Sequence, residues 1–197
     1  MKFECLYKKC EAKCCKNLNT EKKIINYDID SKRFIHFLEN PDRIGIAVFK
    51  KEKDLLLKLA KDKGLALSIK PLRGFMGKDG KICVFKWFID HDECPFLLNN
   101  SCSIYENRPL VCRAFPHLPP FACEPVPEHP VVSEYCPYTK KGEVYPNLMN
   151  DYNYFIEKQS ELMDTVNELI KAGFVLKEKT STVMRLSKGF REIIELD

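Results

Sequence analysis

The sequence predicts an α+β fold: a small, irregular, cysteine-rich domain with a β-hairpin, followed by a C-terminal two-helix extension. Three observations predict it. Residues 65–89 hold two apolar, β-forming runs on either side of Gly77-Lys78-Asp79-Gly80, which is the pattern of a hairpin. Residues 90–147 carry most of the prolines and little periodicity, so something other than a hydrophobic core must order them. From about Asn150, apolar residues return at helical spacing.

Taken in order, residues 1–20 form a first cysteine knot, and Asn17 to Thr20 read as a loop. Residues 24–29 suit a short strand. Asp30 or Ser31 then caps a short helix that carries Phe34, Ile35 and Leu38 and ends near Pro41. Residues 44–49 read as a strand or a buried loop. A helix is predicted from about Lys51 to Asp62, with Leu55, Leu56, Leu59 and Ala60 as its apolar stripe and Gly64 as its stop. Lys50-Lys51-Glu52-Lys53, lysines interrupted by an acid, reads as a solvated helix face. In the second hairpin strand Cys83, Phe85, Trp87 and Ile89 share one face, which makes Cys83 a core residue rather than a ligand.

The C-terminal part begins with a helix of about five turns bearing Tyr152, Phe155, Ile156, Met163, Val166, Leu169 and Ile170, with Gly173 after it. A last helix is predicted over Ser181–Leu196, with Val183, Leu186, Phe190, Ile193 and Ile194 on one side. The expected division is a cysteine-cluster domain over 1–147 and a helical extension packed on it over 148–197.

A formal charge of +4 gives no global basic signature for nucleic acid. No apolar run approaches the about 20 residues that a membrane helix needs. Met1-Lys2-Phe3-Glu4-Cys5 lacks an apolar signal core, so a cytoplasmic location is expected. In a reducing compartment the ten cysteines suit metal or redox chemistry better than structural disulfides.

Cys5, Cys10, Cys14 and Cys15 crowd into eleven residues. Thiolates repel one another, so such crowding is stable around a cation or cluster. Lys8, Lys9, Lys13 and Lys16 flank them and favour the thiolate state. Adjacent cysteines point in different directions, so Cys14 and Cys15 suit two metal sites, or one lines a cluster while the other packs. The downstream candidates are Cys94, Cys102, Cys112 and Cys136, with Cys123 as a weaker fifth. Cys94 and Cys136 each precede proline, a step also found in ferredoxin cluster runs. The chain has no Cys-x2-Cys pair, the usual mark of a zinc knuckle. This tilts the expected cofactor toward an iron–sulfur cluster and leaves zinc open. His91 and His117 lie within five residues of candidate ligands, and His129 lies near them, but a lone loop histidine reads first as a surface residue.

Three segments carry a resemblance. They are Cys94-Pro95-Phe96-Leu97, Cys102 through Pro109, and Cys112-Arg113-Ala114-Phe115-Pro116. Together they resemble the hallmark of the YkgJ-type cysteine-cluster family of zinc- or iron-chelating proteins. Phe3, Cys5, Cys10, Cys14 and Cys15 resemble the family's Phe…Cys-x2-Cys-x2-Cys-Cys start in order, with four and three intervening residues in place of two and two. Cys136-Pro137 resembles its later Cys-Pro. The resemblance covers about residues 3–138 and implies a metal-chelating domain.

Eight cysteines (Cys5, Cys10, Cys14, Cys15, Cys94, Cys102, Cys112 and Cys136) are thus the expected ligands of an iron–sulfur cluster of the 4Fe–4S kind, with or without a second metal, or of two zinc ions. Arg108 and Arg113 flank Cys112. They are candidates for hydrogen bonds to cluster sulfurs or for binding an anionic substrate or cofactor; the alternative is an ion pair with Glu106 or a bond to a loop carbonyl. Tyr105 is expected to pack the loop, its hydroxyl bonded to backbone. Asp90, Asp92 and Glu93 read as a solvated turn.

The family includes a relative that methylates flagellin lysines, so the resemblance also implies an alternative: an S-adenosylmethionine-dependent protein-lysine methyltransferase. The chain has no Gly-x-Gly-x-x-Gly fingerprint after a strand, and no Ser-His-Asp, P-loop or zinc-protease motif. No catalytic residue is singled out. A third reading is a zinc-stapled module whose C-terminal helices bind a protein partner.

Overall fold

The computed structural model describes residues 3, 5, 9–16, 18, 35–36, 46–76, 82–118, 129–133, 136–139, 143–172 and 193–195. In chain order its elements are α1 (Lys13–Lys16), β1 (Ile35–His36), β2 (Ala47–Val48), α2 (Lys50–Asp62), β3 (Ile69–Met76) and β4 (Ile82–Ile89). There follow β5 (Leu97–Leu98), β6 (Ser101–Cys102), α3 (Leu110–Ala114), β7 (His117–Leu118), β8 (Val131–Val132), α4 (Met149–Lys171) and β9 (Ile193–Glu195). The mixed α+β class expected from sequence is what forms.

The main sheet is centred on β4. Antiparallel β3 covers one edge, with β1 beyond it. On the other edge β2 pairs with one end of β4 (Ala47 with Phe88) and β9 runs parallel to the other (Ile82 with Ile193). The hairpin of β3 and β4 is the predicted one; its Gly77–Gly80 turn lies outside the described residues.

Three sequence expectations are corrected here. Ile193–Glu195 is a strand, not the end of a helix, and the rest of the predicted 181–196 helix lies outside the described residues. β-Branched Ile193 and Ile194 suit a ladder as well as a helix, and an available β4 edge decides the outcome. Ile35–His36 is likewise a strand on β3 where a short helix was expected. The predicted strand over 24–29 lies outside the described residues.

The third correction concerns the facing of β4. Ile82 and Val84 join Trp87 and Ile89 in the main core, so the inward parity changes along the strand. Arg73 pairs with Lys86 and Gly74 with Val84, which leaves Phe85 unmatched as a bulge. One extra residue moves every later side chain to the opposite face. Cys83 is nevertheless buried at 2% exposure, as a core residue.

Helix α2 is an amphipathic 13-residue helix that ends as its sequence predicts. Gly64 takes φ +65°, the left-handed conformation that suits glycine. Leu65 N–H then donates to the Ala60 carbonyl at 2.9 Å and Gly64 N–H to the Lys61 carbonyl at 3.1 Å. These two bonds form a Schellman stop. Leu56 and Ala60 are buried, but Leu55 is 41% exposed and leaves the predicted stripe.

The lysine run is not simply a solvated face. Lys53 is 8% exposed; its ammonium lies 4.7 Å over the Trp87 ring and pairs with Glu195 at 2.5 Å. Glu52 accepts hydrogen bonds from Phe49 N–H at 2.9 Å and Leu110 N–H at 2.6 Å. It thereby ties the start of α2 to the start of α3.

The main core contains Val48, Leu56, Ala60, Ile82, Val84, Trp87 and Ile89, and it continues into the cysteine segment through Phe96 and Ile104. Helix α4 buries Tyr152, Phe155, Gln159, Leu162 and Val166, a tighter stripe than predicted, with Ile156 and Met163 only half-buried. Its Phe155 closes on Phe49 at 5.3 Å, and Lys86 is held there, 3.3 Å over Phe49 and 4.7 Å over Phe155. The Lys86 Nζ is buried and makes no hydrogen bond among the described residues. Burial depresses its pKa to about 7, outweighing the attraction of Glu52.

Candidate metal centre

The first knot is built by an unusual backbone. Glu11 and Ala12 follow Cys10 with φ of 52° and 55°, a strained pair for residues with a Cβ. They turn the chain into α1, where Cys15 and Lys16 N–H groups both donate to the Ala12 carbonyl. The Cys14 and Cys15 sulfurs end 4.0 Å apart. These left-handed residues fill part of the longer spacing between Cys10 and Cys14.

The downstream cysteines are positioned by a small hairpin. Asn99 and Asn100, at φ 50° and 55°, make the two-residue turn between β5 and β6, and both central residues of a type I′ turn need positive φ. Asn tolerates that conformation, so the Asn-Asn pair was a legible hairpin signal that the sequence reading passed over. Leu97 N–H bonds the Cys94 carbonyl at 2.9 Å, and Leu97 pairs with Cys102, which places Cys94 and Cys102 on one loop. Cys112 is carried by α3, which Glu52 caps at Leu110.

Two backbone hydrogen bonds join the knots. Cys94 N–H donates to the Cys15 carbonyl at 2.8 Å, and Leu18 N–H donates to the Asp92 carbonyl at 3.1 Å. The thiols respond to one another accordingly. Burial, then the charges of Cys94 and Cys14, push Cys112 well above the usual thiol range. Burial also lifts Cys94 to about 11, with Cys102 and Cys14 adding to it. The contact between the Cys14 and Cys15 sulfurs lowers Cys14 to about 7 and raises Cys15. Cys136 is raised by burial and by Cys10 and Cys14. Its loop is fixed by Thr139, whose hydroxyl donates to the Cys136 and Ser133 carbonyls.

Electrostatic interactions therefore run from Cys136 and Cys10 through Cys14 and Cys15 to Cys94, Cys102 and Cys112. Among the described residues no three Cys, His, Asp or Glu side chains stand at metal-ligand spacing, so the thiols are neighbours rather than a closed coordination shell. Their chemistry fits a metal. Buried thiols that raise one another's pKa are the groups a cation relieves, because metal binding takes the thiolate. Cys5 is half-buried near the start of the chain, where Phe3 is clamped by Asn147 through two hydrogen bonds and its ring meets Tyr145 at 5.0 Å. Cys123 lies outside the described residues.

Two of the histidines have structural roles. His91 Nε2 accepts the Ser68 N–H at 2.8 Å, and His117 Nε2 accepts the Tyr145 N–H at 3.1 Å. His117 is fully buried, stacked on Tyr145, and its pKa is lowered by burial. His129 is exposed. The acidic step is partly tied down: Asp90 pairs with Lys70 at 2.7 Å.

Arg108 donates from Nε to the Tyr105 carbonyl at 3.0 Å and lies 3.8 Å over its ring, so Tyr105 serves as a platform that is 44% exposed rather than a loop-packing residue. The positive field of Arg108 reaches Cys14 and Cys112 and favours their thiolates. Arg113 pairs with Asp151 of α4 at 3.3 Å, not with Glu106. Both arginines line a cavity of about 500 Å³ between α2, α3 and α4.

No curated protein and no solved structure matches this chain. A family model does: residues 4–137 match CxxCxxCC, described as a "putative zinc- or iron-chelating domain". That match spans well over half of the chain and contains all eight candidate cysteines and both arginines, so the chain belongs to the CxxCxxCC family.

Proposed function

We propose that the chain is an iron–sulfur protein. Cys14, Cys94, Cys102 and Cys112 are its inner ligands, and Cys5, Cys10, Cys15 and Cys136 complete the cluster surroundings or a second metal site. The observation that carries this reading is the Cys94 N–H to Cys15 carbonyl bond, with the mutual ionisation effects of the thiols it brings together. The family's chelating character supports the metal, and the irregular cysteine spacing supports iron–sulfur over zinc.

When bound, such a cluster supplies electron transfer or structural cross-linking. The chain's own residues supply the setting. Arg108 places positive charge beside the thiolates, Phe96 and Ile104 exclude water from one side, and Glu52 holds α3 in place. Methyl transfer to lysine finds no supporting observation among the described residues.

Anaerobic purification followed by an absorption spectrum and elemental analysis tests the reading. Iron with acid-labile sulfide and a broad band near about 400 nm is expected, since iron–thiolate sites are coloured and zinc is not. Colourless protein with stoichiometric zinc would overturn it.

A further inference from the structure

The cavity between α2, α3 and α4 has a charged lining, and the metal reading leaves its interior without a role. Five cationic side chains line it (Lys50, Lys51, Arg108, Arg113 and Lys158) against three acids, Glu52, Glu106 and Glu161. Two of those acids are committed. Glu52 spends both carboxylate oxygens on backbone N–H groups, and Glu161 pairs with Lys158 at 2.6 Å. Even with Asp151 counted beside Arg113, cations outnumber acids around the cavity. The Arg113 Nε is buried and makes no aligned hydrogen bond among the described residues, although Asp151 stands 3.3 Å away. Apolar residues also line it, with Leu56 and Leu162 buried and Leu55 and Tyr154 exposed at 41% and 44%. A volume of about 500 Å³ lies within the range of small-molecule sites.

We propose that this cavity binds a small organic anion, with a carboxylate or phosphate head between Arg108 and Arg113 and an apolar body against Leu55, Leu162 and Tyr154. Arginine suits this because its planar fork matches both head groups, and it is always charged. Arg108 also acts electrostatically on Cys14 and Cys112, and Arg113 follows Cys112 on α3. The site is formed by protein groups alone and goes beyond the metal reading.

The test is calorimetric titration of the purified full chain, with metal content measured on every sample. The probes are phenylpropionate, phenyl phosphate and the neutral phenylpropanol. At least one anion is expected to bind while the alcohol does not, and the stronger of the two names the head group. The Arg108→Gln/Arg113→Gln double variant, compared with the parent at matched metal content, is expected to weaken that binding by roughly tenfold or more. Leu55→Glu puts a negative charge at an exposed position of the lining, so it reports even if the arginine variants fold poorly, and it is expected to weaken the same anion severalfold. Binding of neither anion, equal binding of the alcohol, or undiminished affinity in Leu55→Glu would overturn the proposal.

Discussion

In β4 all eight residues are buried, whereas between Cys94 and Ala114 only Phe96, Ile104, Pro109, Leu110 and Ala114 are. The two regions adjoin, because Cys94 and Cys102 pack against the same core that takes Val84 and Trp87. The sheet is ordered by removing apolar surface from water and by a continuous ladder. The cysteine segment has a two-residue hairpin, a short 3-10 turn at Tyr105–Asn107 and a five-residue helix, each too small to be stable alone. What it has instead is a concentration of thiols whose ionisation is mutually unfavourable without a cation. One chain thus combines a hydrophobically ordered platform with a segment of short elements that concentrates its thiols.

The sharpest way to break this contrast is to remove the metal's ligands. Cys94→Ser, Cys102→Ser or Cys112→Ser is expected to lose metal and cost several kcal/mol. Hydrogen exchange would show amides of residues 94–114 losing protection while β3 and β4 keep theirs. Retained metal and an unchanged melting temperature in all three would end the comparison.

The converse change is Phe85→Ala, at a fully buried bulge residue, expected to cost about 3–5 kcal/mol by denaturant titration while metal content stays stoichiometric in the folded fraction.

Lys86 tests the platform by pH. Its proton is held up to about pH 7 in the fold and up to the usual 10.5 in the unfolded chain. Between those values unfolding takes up a proton, so this group makes stability rise with pH through the window, and its penalty is fully present below about 7. Lys86→Met is therefore expected to be more stable than the parent by a few kcal/mol at pH 6, with the gap closing toward pH 10. A pH-independent gap would refute the assignment.

Glu52 joins the two regions, and Glu52→Ala leaves two backbone N–H groups without their acceptor. A loss of about 1–3 kcal/mol is expected, with faster exchange at Leu110. The smallest effect is Gly64→Ala. A Cβ there meets nothing within 4 Å, so the cost of about 1 kcal/mol comes from the left-handed backbone alone.

Legibility followed the range of the forces. The Leu56–Ala60 stripe, the Gly64 stop, the hairpin and the start of α4 depend on residues a few positions apart, and periodicity displayed them. Leu55 and the Lys50–Lys53 run were misread because burial depends on what packs opposite, here α3, α4 and Glu195. The cysteines were legible as a set because their chemistry is carried by residue type and by clustering. Their association in space rests on the Cys15–Cys94 backbone bond, which no local pattern announces.

By itself, then, the sequence determined the element types that local periodicity controls, the choice of thiols as the reactive groups, and the family to which the chain belongs. Tertiary structure alone decided the reversal of facing at Phe85, the conversion of Ile193–Glu195 into a strand on β4, the partner of Arg113, and the cavity between α2, α3 and α4. The physical reason is common to all four: each depends on partners beyond the reach of local periodicity, across a hairpin, on another element or at a vacant ladder edge, and such partners meet only once the chain has folded.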